Sequence, residues 1–238
     1  QLCPDLGTTG YANPLHPNYY KTTPAHNTVT VGGRNMAPKS GELSAFETTD
    51  DCAAAVARSE QVYPGYLLTR RILLADGFLV DEFIVEGGEP ETLDWFLRCP
   101  GMLDLSVETA PVEEEPLSAP YRYLKELRGV QHDRVWSATW VQDSDSEAAA
   151  APRLVVTLAG VPGTRIVAAR APGPARRGVQ WDTLRVRRQA AATRFLAVFQ
   201  TIPRDGHSRP VTFGENTVQI GPATVHLPPD PQTPPRIE

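Results

Sequence analysis

The stretch "LLTRRILLADGFLVDEFIV", residues 67–85, carries the strongest structural signal in the chain. Two runs rich in Leu, Ile, Val and Phe flank Ala75-Asp76-Gly77, and Asp-Gly is a dipeptide that supplies the positive φ angles of a tight hairpin turn. The stretch therefore reads as a β-hairpin. Working outward, strands are predicted at "NTVTV" (27–31), "RLVVTLAG" (153–160), "TRIVAAR" (164–170), "TLRVRRQ" (183–189) and "TRFLAVFQTI" (193–202), with Pro162-Gly163 as a turn. "NTVQIGPATVHL" (216–227) reads as two further short strands about Gly-Pro. In "DDCAAAVARSE" (50–60) the Ala propensity and an Asp cap argue for a helix, but its neighbours are strands and it is assigned to a strand. Residues 108–120 and 142–152 read as solvated loops. Helical periodicity is almost absent and no internal repeat is visible. The prediction is an all-β fold, an antiparallel β-sandwich of many short strands, over residues 1–227. Residues 228–238 read as a Pro-rich tail.

Composition agrees. The 238 residues include 23 Pro, roughly twice the usual ~5%, which disfavours long helices. Four Trp, seven Tyr and seven Phe supply a core. The net charge of -5 and the scattered arginines offer no basic face for nucleic acid. No apolar run reaches the ~20 residues of a membrane helix. Cys3, Cys52 and Cys99 are odd in number and show no CxxC pair, so neither a disulfide framework nor a zinc ribbon is indicated, although one bridge is compatible with the count. The thiols leave the compartment open between periplasm, exterior and cytoplasm. Opening on Gln1, the sequence reads as one excised from a longer protein. P-loop, GxSxG, HExxH and GxGxxG motifs are missing, which removes the commonest nucleotide, hydrolase and metalloprotease readings.

Chemistry concentrates in "PDLGTTGYANPLHPNYYKTTPAHNTVTV", residues 4–31. Asp5 and His26 have the donor types of zinc ligands, but a closed zinc site takes four. On residue types alone, Asp5 as a cap of the Gly-Thr-Thr-Gly turn and His26 as a packed strand-edge residue is the better account. Tyr11, Tyr19 and Tyr20 can exchange protons with a sugar oxygen or simply line a sugar-binding edge. Lys21 and Asn27, with Arg70 and Arg71, are candidates to meet a substrate carboxylate, and His16 and Tyr19 are candidate sugar contacts. Basic residues on strand edges more often only blunt edge pairing. His132, His207 and His226 have no spaced partners.

The order D-x-G, then Tyr, then Y-x-x-T-x-x-H-N-T-V in this segment closely resembles heparinase II/III-like polysaccharide lyases, particularly their alginate-lyase-like branch. "LDWFLRCPG", "LAGVPGTRIVAARAPG" and "RRQAAATRFLAVFQ" follow in that family's order, so the likeness runs from residue 4 to about 202. The resemblance implies the C-terminal β supersandwich of an enzyme whose other half is an N-terminal α/α toroid. It implies an acidic, uronate-containing polysaccharide or oligosaccharide as partner, cleaved by β-elimination. It also implies a structural zinc held by Asp5, His26 and a further histidine upstream. A cleft tyrosine is expected, with Tyr20 ahead of Tyr11. One departure is visible: Arg98 stands where the resemblance leads one to expect a histidine. A non-catalytic carbohydrate-binding or structural sandwich is the rival reading.

Overall fold

The computed structural model describes residues 3–141, 152–174, 179–203 and 205–238. The predicted loop at 142–152 therefore lies almost wholly outside the described residues. Sixteen strands are present among them. The first nine are β1 (Val29–Val31), β2 (Glu42–Thr48), β3 (Cys52–Ser59), β4 (Tyr66–Ala75), β5 (Phe78–Arg98), β6 (Met102–Leu105), β7 (Ala110–Pro111), β8 (Lys125–Gln131) and β9 (Trp136–Val141). There follow β10 (Arg153–Leu158), β11 (Arg165–Pro172), β12 (Gln180–Ile202), β13 (Val211–Phe213), β14 (Thr217–Ile220), β15 (Ala223–His226) and β16 (Arg236–Ile237). Among the described residues, helical structure is confined to single turns at His16–Tyr20, Thr23–Ala25 and Ala119–Tyr123. The all-β expectation holds, and residues 52–59 are a strand despite their alanines.

The predicted hairpin is β4–β5, with Ala75 opposite Phe78 across a two-residue turn. Gly77 takes a positive φ of 78° and Asp76 does not, so glycine alone carries the turn's unusual backbone. The strands are not all short. β5 has 21 residues and β12 has 23, and they pair antiparallel over most of their length. Their register shifts where Ala190 meets Glu91 and Ala192 meets Glu86. At this corner Gly87 lies against Tyr66, where a Cβ would come within 2.1 Å of the ring. The extra residues bend both strands, so one half of each belongs to each layer of the sandwich. The first layer runs β2-β3-β4-β5-β12-β10-β9-β6 through one half of the long strands. In the second, their other halves pair with β1 and with β11, which leads on to β8 and β7.

Alternation along the long strands keeps Phe83, Val85, Leu93, Trp95 and Leu97 on the inner face, with Leu184, Val186, Phe195 and Ala197 from β12. They meet Trp136, Trp140, Leu154, Val156 and Leu158 in one core between the layers. Both outer faces are also covered. The four-stranded sheet β13-β14-β15-β16 lays Val218, Ile220, Val225 and Leu227 on Leu73, Phe78, Val80 and Val198. The N-terminal segment and the turn at Ala119–Tyr123 lay Leu6, Tyr19, Tyr20 and Tyr121 on Phe96, Ala169 and Ala171.

Two sequence expectations need correction. Residues 228–238 are packed: β16 pairs with β15, and the buried Arg71 guanidinium donates to the carbonyls of Pro228, Asp230 and Thr233 at 2.7, 3.2 and 3.3 Å. Proline removes donors, but its carbonyl remains an acceptor. Arg71 is ion-paired to fully buried Glu82, which Arg194 also approaches at 3.3 Å. Arg71→Met is expected to cost about 3 kcal/mol and to expose residues 228–238 to protease ahead of the core, as limited proteolysis with mass spectrometry would read. Residues 108–120 are likewise not merely a solvated loop, since they hold β7 and send Glu114 into a charge network on the second layer.

Candidate functional site

At the β4–β5 turn end of the sandwich the layers part into a groove of about 560 Å³. Inward-facing positions of four strands line it: Ile72, Leu79, Leu154 and Phe199 among the apolar residues, with the Arg70–Asp81 pair at one side. Cys3, Asp5, His26 and Asn27 form the rim. The rim is held there by the backbone of Arg98 at the end of β5. Its N–H donates to Asn27 Oδ1 at 2.9 Å, and its carbonyl accepts from Asn27 Nδ2 at 3.3 Å.

Asp5 caps the glycine turn, as expected, and also bonds His26. Its Oδ1 accepts the Gly7 N–H at 2.8 Å, capping the glycine turn, and its Oδ2 lies 2.6 Å from His26 Nδ1. Burial raises the Asp5 carboxyl, but the hydrogen bonds to His26 and to the Gly7 amide outweigh it and leave the group below its ordinary value. The turn projects a loop outward. On it, His16 Nδ1 lies 2.8 Å from Thr8 Oγ1, and the Tyr11 ring meets the His16 ring edge-on at 4.9 Å. Tyr11 is 91% exposed.

The remaining candidates separate by burial. Tyr20 is 5% exposed and its hydroxyl donates to the Gly173 carbonyl at 2.7 Å, so it anchors the segment and presents nothing to solvent. Tyr19 is fully buried, with its hydroxyl unpartnered among the described residues. The sequence reading that put Tyr20 and Tyr19 on a sugar-facing surface is corrected here, because the short helical turn His16–Tyr20 rolls both rings onto the second layer. Asn27 is clasped to the backbone of Arg98 through both ends of its amide, and Arg70 is held by Asp81 at 2.8 and 2.7 Å, so both are largely spent on the fold. Arg71 lies on the opposite face of its layer, under the C-terminal sheet. Lys21 and His16 keep accessible side chains.

Sequence reasoning missed the Arg70–Asp81 pair, although the turn at Asp76–Gly77 sets Ile72 opposite Asp81 and thereby brings Arg70 beside it. It also missed the environment of Arg98. This guanidinium is 1% exposed, donates to the Pro24 carbonyl, stacks 5.8 Å from the Phe96 ring centroid and leaves Nε and Nη1 unpartnered among the described residues. Burial pushes its pKa down, against the opposing pull of Tyr19 and Asp5.

The donor chemistry of the Asp5–His26 pair fits half of a zinc shell. One carboxylate oxygen and one imidazole nitrogen converge at the partly exposed rim. No group of three or more metal-ligating side chains occurs among the described residues, and Arg98 offers no lone pair.

A bent two-layer antiparallel sandwich, with a polar Asp/His/Tyr segment laid over one face and along one mouth, is the class of domain that fold and site define. The chain belongs to the heparinase II/III-like, C-terminal family, whose model matches residues 1–159. None of the curated proteins matches it in sequence. Among solved structures it is similar to a heparinase III, at 15% identity and a TM-score of 0.65, covering 92% of this chain and 33% of that one. It is also similar to the heparan sulfate lyase HepC of Pedobacter heparinus, at 12% identity and a TM-score of 0.65, again covering 92% of this chain and 33% of that one. The chain thus spans about a third of the length of these structures, and at such identities the likeness speaks to the fold. No described helix is long and apolar enough to cross a membrane.

Proposed function

We propose that this chain is the C-terminal β-sandwich of a polysaccharide lyase that cleaves a uronate-containing polysaccharide or oligosaccharide, alginate or a glycosaminoglycan, by β-elimination. An N-terminal α/α toroid of the same protein forms the other wall of the cleft. The observation that carries the reading is the exposed Tyr11–His16 pair on a loop braced by Asp5, within a domain of the heparinase II/III-like C-terminal family. In β-elimination the C5 proton leaves, charge builds on the C5 carboxylate and the O4 oxygen departs. Each step requires a proton carrier or a cation at a fixed place. Tyr11 is the proton carrier this domain offers, and His16 Nε2 and the Lys21 ammonium are its donors toward sugar oxygens or a carboxylate. Tyr20 and Tyr19 support the loop from beneath.

Asp5 and His26 are the residues of this domain that would hold a structural zinc, completed by a further histidine upstream. Bound there, zinc supplies a crosslink at the base of the loop and no chemistry on the sugar. Metal analysis of the intact protein is expected to find one zinc per chain, lost in His26→Ala. An intact protein that contains no zinc would remove the metal from this reading.

The test of the function is the ultraviolet absorbance of the C4–C5 double bond, which only elimination creates. The intact protein is mixed with alginate, hyaluronan, chondroitin and heparan sulfate oligosaccharides. A rise on one of them is expected, and no rise on any of them, with binding retained, would favour a binding module.

A further inference from the structure

The loop that carries Tyr11 is tied down at several points, and one of its bonds reaches the His16 ring. At its start Leu6 is buried on the second layer, and Asp5 Oδ1 caps the turn at Gly7, whose φ is 67°. Farther on, the Asn13 N–H donates to the Gly10 carbonyl at 2.9 Å. Asn13 Oδ1 accepts the Leu15 N–H, and the Asn13 carbonyl accepts the His16 N–H, each at 2.9 Å. Between these two turns Thr8 Oγ1 lies 2.8 Å from His16 Nδ1, and the Tyr11 ring meets the same imidazole edge-on.

The Thr8 hydroxyl has one hydrogen to give and two acceptors near it: His16 Nδ1 at 2.8 Å and the Thr9 carbonyl at 3.4 Å. Hydroxyl donors favour about 2.7–2.8 Å, whereas an N–H donating to oxygen favours about 2.9–3.0 Å. The hydrogen therefore goes to Nδ1, and a neutral imidazole that accepts there carries its own proton on Nε2. Nε2 points away from Thr8 and bonds no protein atom among the described residues. The opposite tautomer would turn a lone pair toward a uronate carboxylate, which is itself an acceptor only.

We propose that Thr8 is a positioning residue for the elimination: its hydroxyl orients the His16 ring beside Tyr11 and keeps the proton on Nε2, so that a neutral donor faces the sugar. The proposal rests on the lyase reading of this loop. Thr8 touches no substrate in it and acts through His16.

The test compares the intact protein with Thr8→Val, which keeps the shape and removes the hydroxyl, and with Thr8→Ser, which restores it. The first readout needs no substrate. It is heteronuclear NMR of protein labelled at its histidine ring nitrogens, at about pH 8.5, roughly two units above the ordinary imidazole value. The His16 signals are identified by their loss in His16→Gln. The Nε2-protonated form is expected to dominate in the unmodified protein and in Thr8→Ser, and to give way to a mixture in Thr8→Val. The second readout is elimination on the oligosaccharide that the unmodified protein cleaves. There kcat is expected to fall roughly 10-fold in Thr8→Val, with KM changed little, and to recover in Thr8→Ser. In a protein already carrying His16→Gln, Thr8→Val is expected to have no further effect. Thr8 is exposed, so the urea midpoints should coincide. A His16 protonated on Nδ1, or signals indifferent to Thr8→Val, would overturn the proposal. Equal losses of kcat with and without His16 would also overturn it, by showing that Thr8 only shapes the loop. An intact protein that forms no double bond on any uronate would sink the lyase reading and with it the catalytic role of Thr8, while the NMR would still decide the tautomer.

Discussion

Tyr11→Phe in the intact protein is expected to lower kcat by roughly 10²–10⁴-fold, the usual contribution of a positioned proton carrier, with KM changed little. The Tyr11 hydroxyl bonds to no protein atom among the described residues and its side chain is exposed, so its loss should move stability by no more than about 0.5 kcal/mol. Tyr20→Phe is the paired control. It strips the hydrogen bond to the Gly173 carbonyl and is expected to cost about 1–2 kcal/mol, leaving turnover per folded molecule alone. The two tyrosines thus separate cleanly in a measurement of kcat beside a denaturant midpoint. If Tyr20→Phe abolished turnover and Tyr11→Phe did not, the segment would have to rearrange in the intact enzyme, and the role given to Tyr11 would be wrong.

Asp94→Ala is expected to be the most damaging single change to the fold, at the upper end of about 3–5 kcal/mol. Asp94 is fully buried in the middle of a row that runs Thr30, Asp94, Arg187 across β1, β5 and β12. Its carboxylate takes both arms of Arg187, at 2.7 and 2.8 Å, and the Tyr121 hydroxyl at 2.7 Å, while Tyr121 also meets Thr30 Oγ1 at 2.7 Å. Arg185, itself buried, reaches Glu114 at 2.6 Å and lies 3.9 Å from Asp94. With Arg165 also 2.9 Å from Glu114, three cations share two carboxylates, so truncating Asp94 leaves still more charge without a counterion in a place with little water. Burial and the neighbouring Asp94 also hold the Tyr121 hydroxyl well above its ordinary pKa, so it stays protonated and donates. The double variant Asp94→Leu with Arg187→Met is expected to recover part of the loss, since removing both partners costs less than orphaning one. Urea midpoints of the two proteins would check this, and a double variant as unstable as Asp94→Ala would refute the charge argument.

Much of the fold was legible locally. The β4–β5 hairpin, β10, β11, both halves of β12 and the β14–β15 pair follow from apolar runs punctuated by Gly, Pro and Asp-Gly. Alternation failed where both faces are covered. Residues 94–98 are buried one after another because Trp95 and Leu97 face the core while Asp94, Phe96 and Arg98 lie under the N-terminal segment. Prolines 228–235 misled for a related reason: composition says what cannot extend a sheet, and it is silent on which arginine will bond the carbonyls.

Residue order alone was enough for the strand content, the hairpin that starts the long strand, the family to which residues 4–31 point, and the capping of the glycine turn by Asp5. Those features rest on short-range backbone preferences or on a contiguous motif. Folding in three dimensions was needed to settle which tyrosine is turned outward, that Asn27 and Arg70 are already engaged, and that Arg98 is buried behind the rim. Each of these depends on contacts between residues far apart in the chain, through the bend in β5 and β12 and the layering on both outer faces. A phenol, an amide or a guanidinium has the same chemistry wherever it stands. Burial and the partners within hydrogen-bond reach decide whether that chemistry is spent on the fold or left for a substrate.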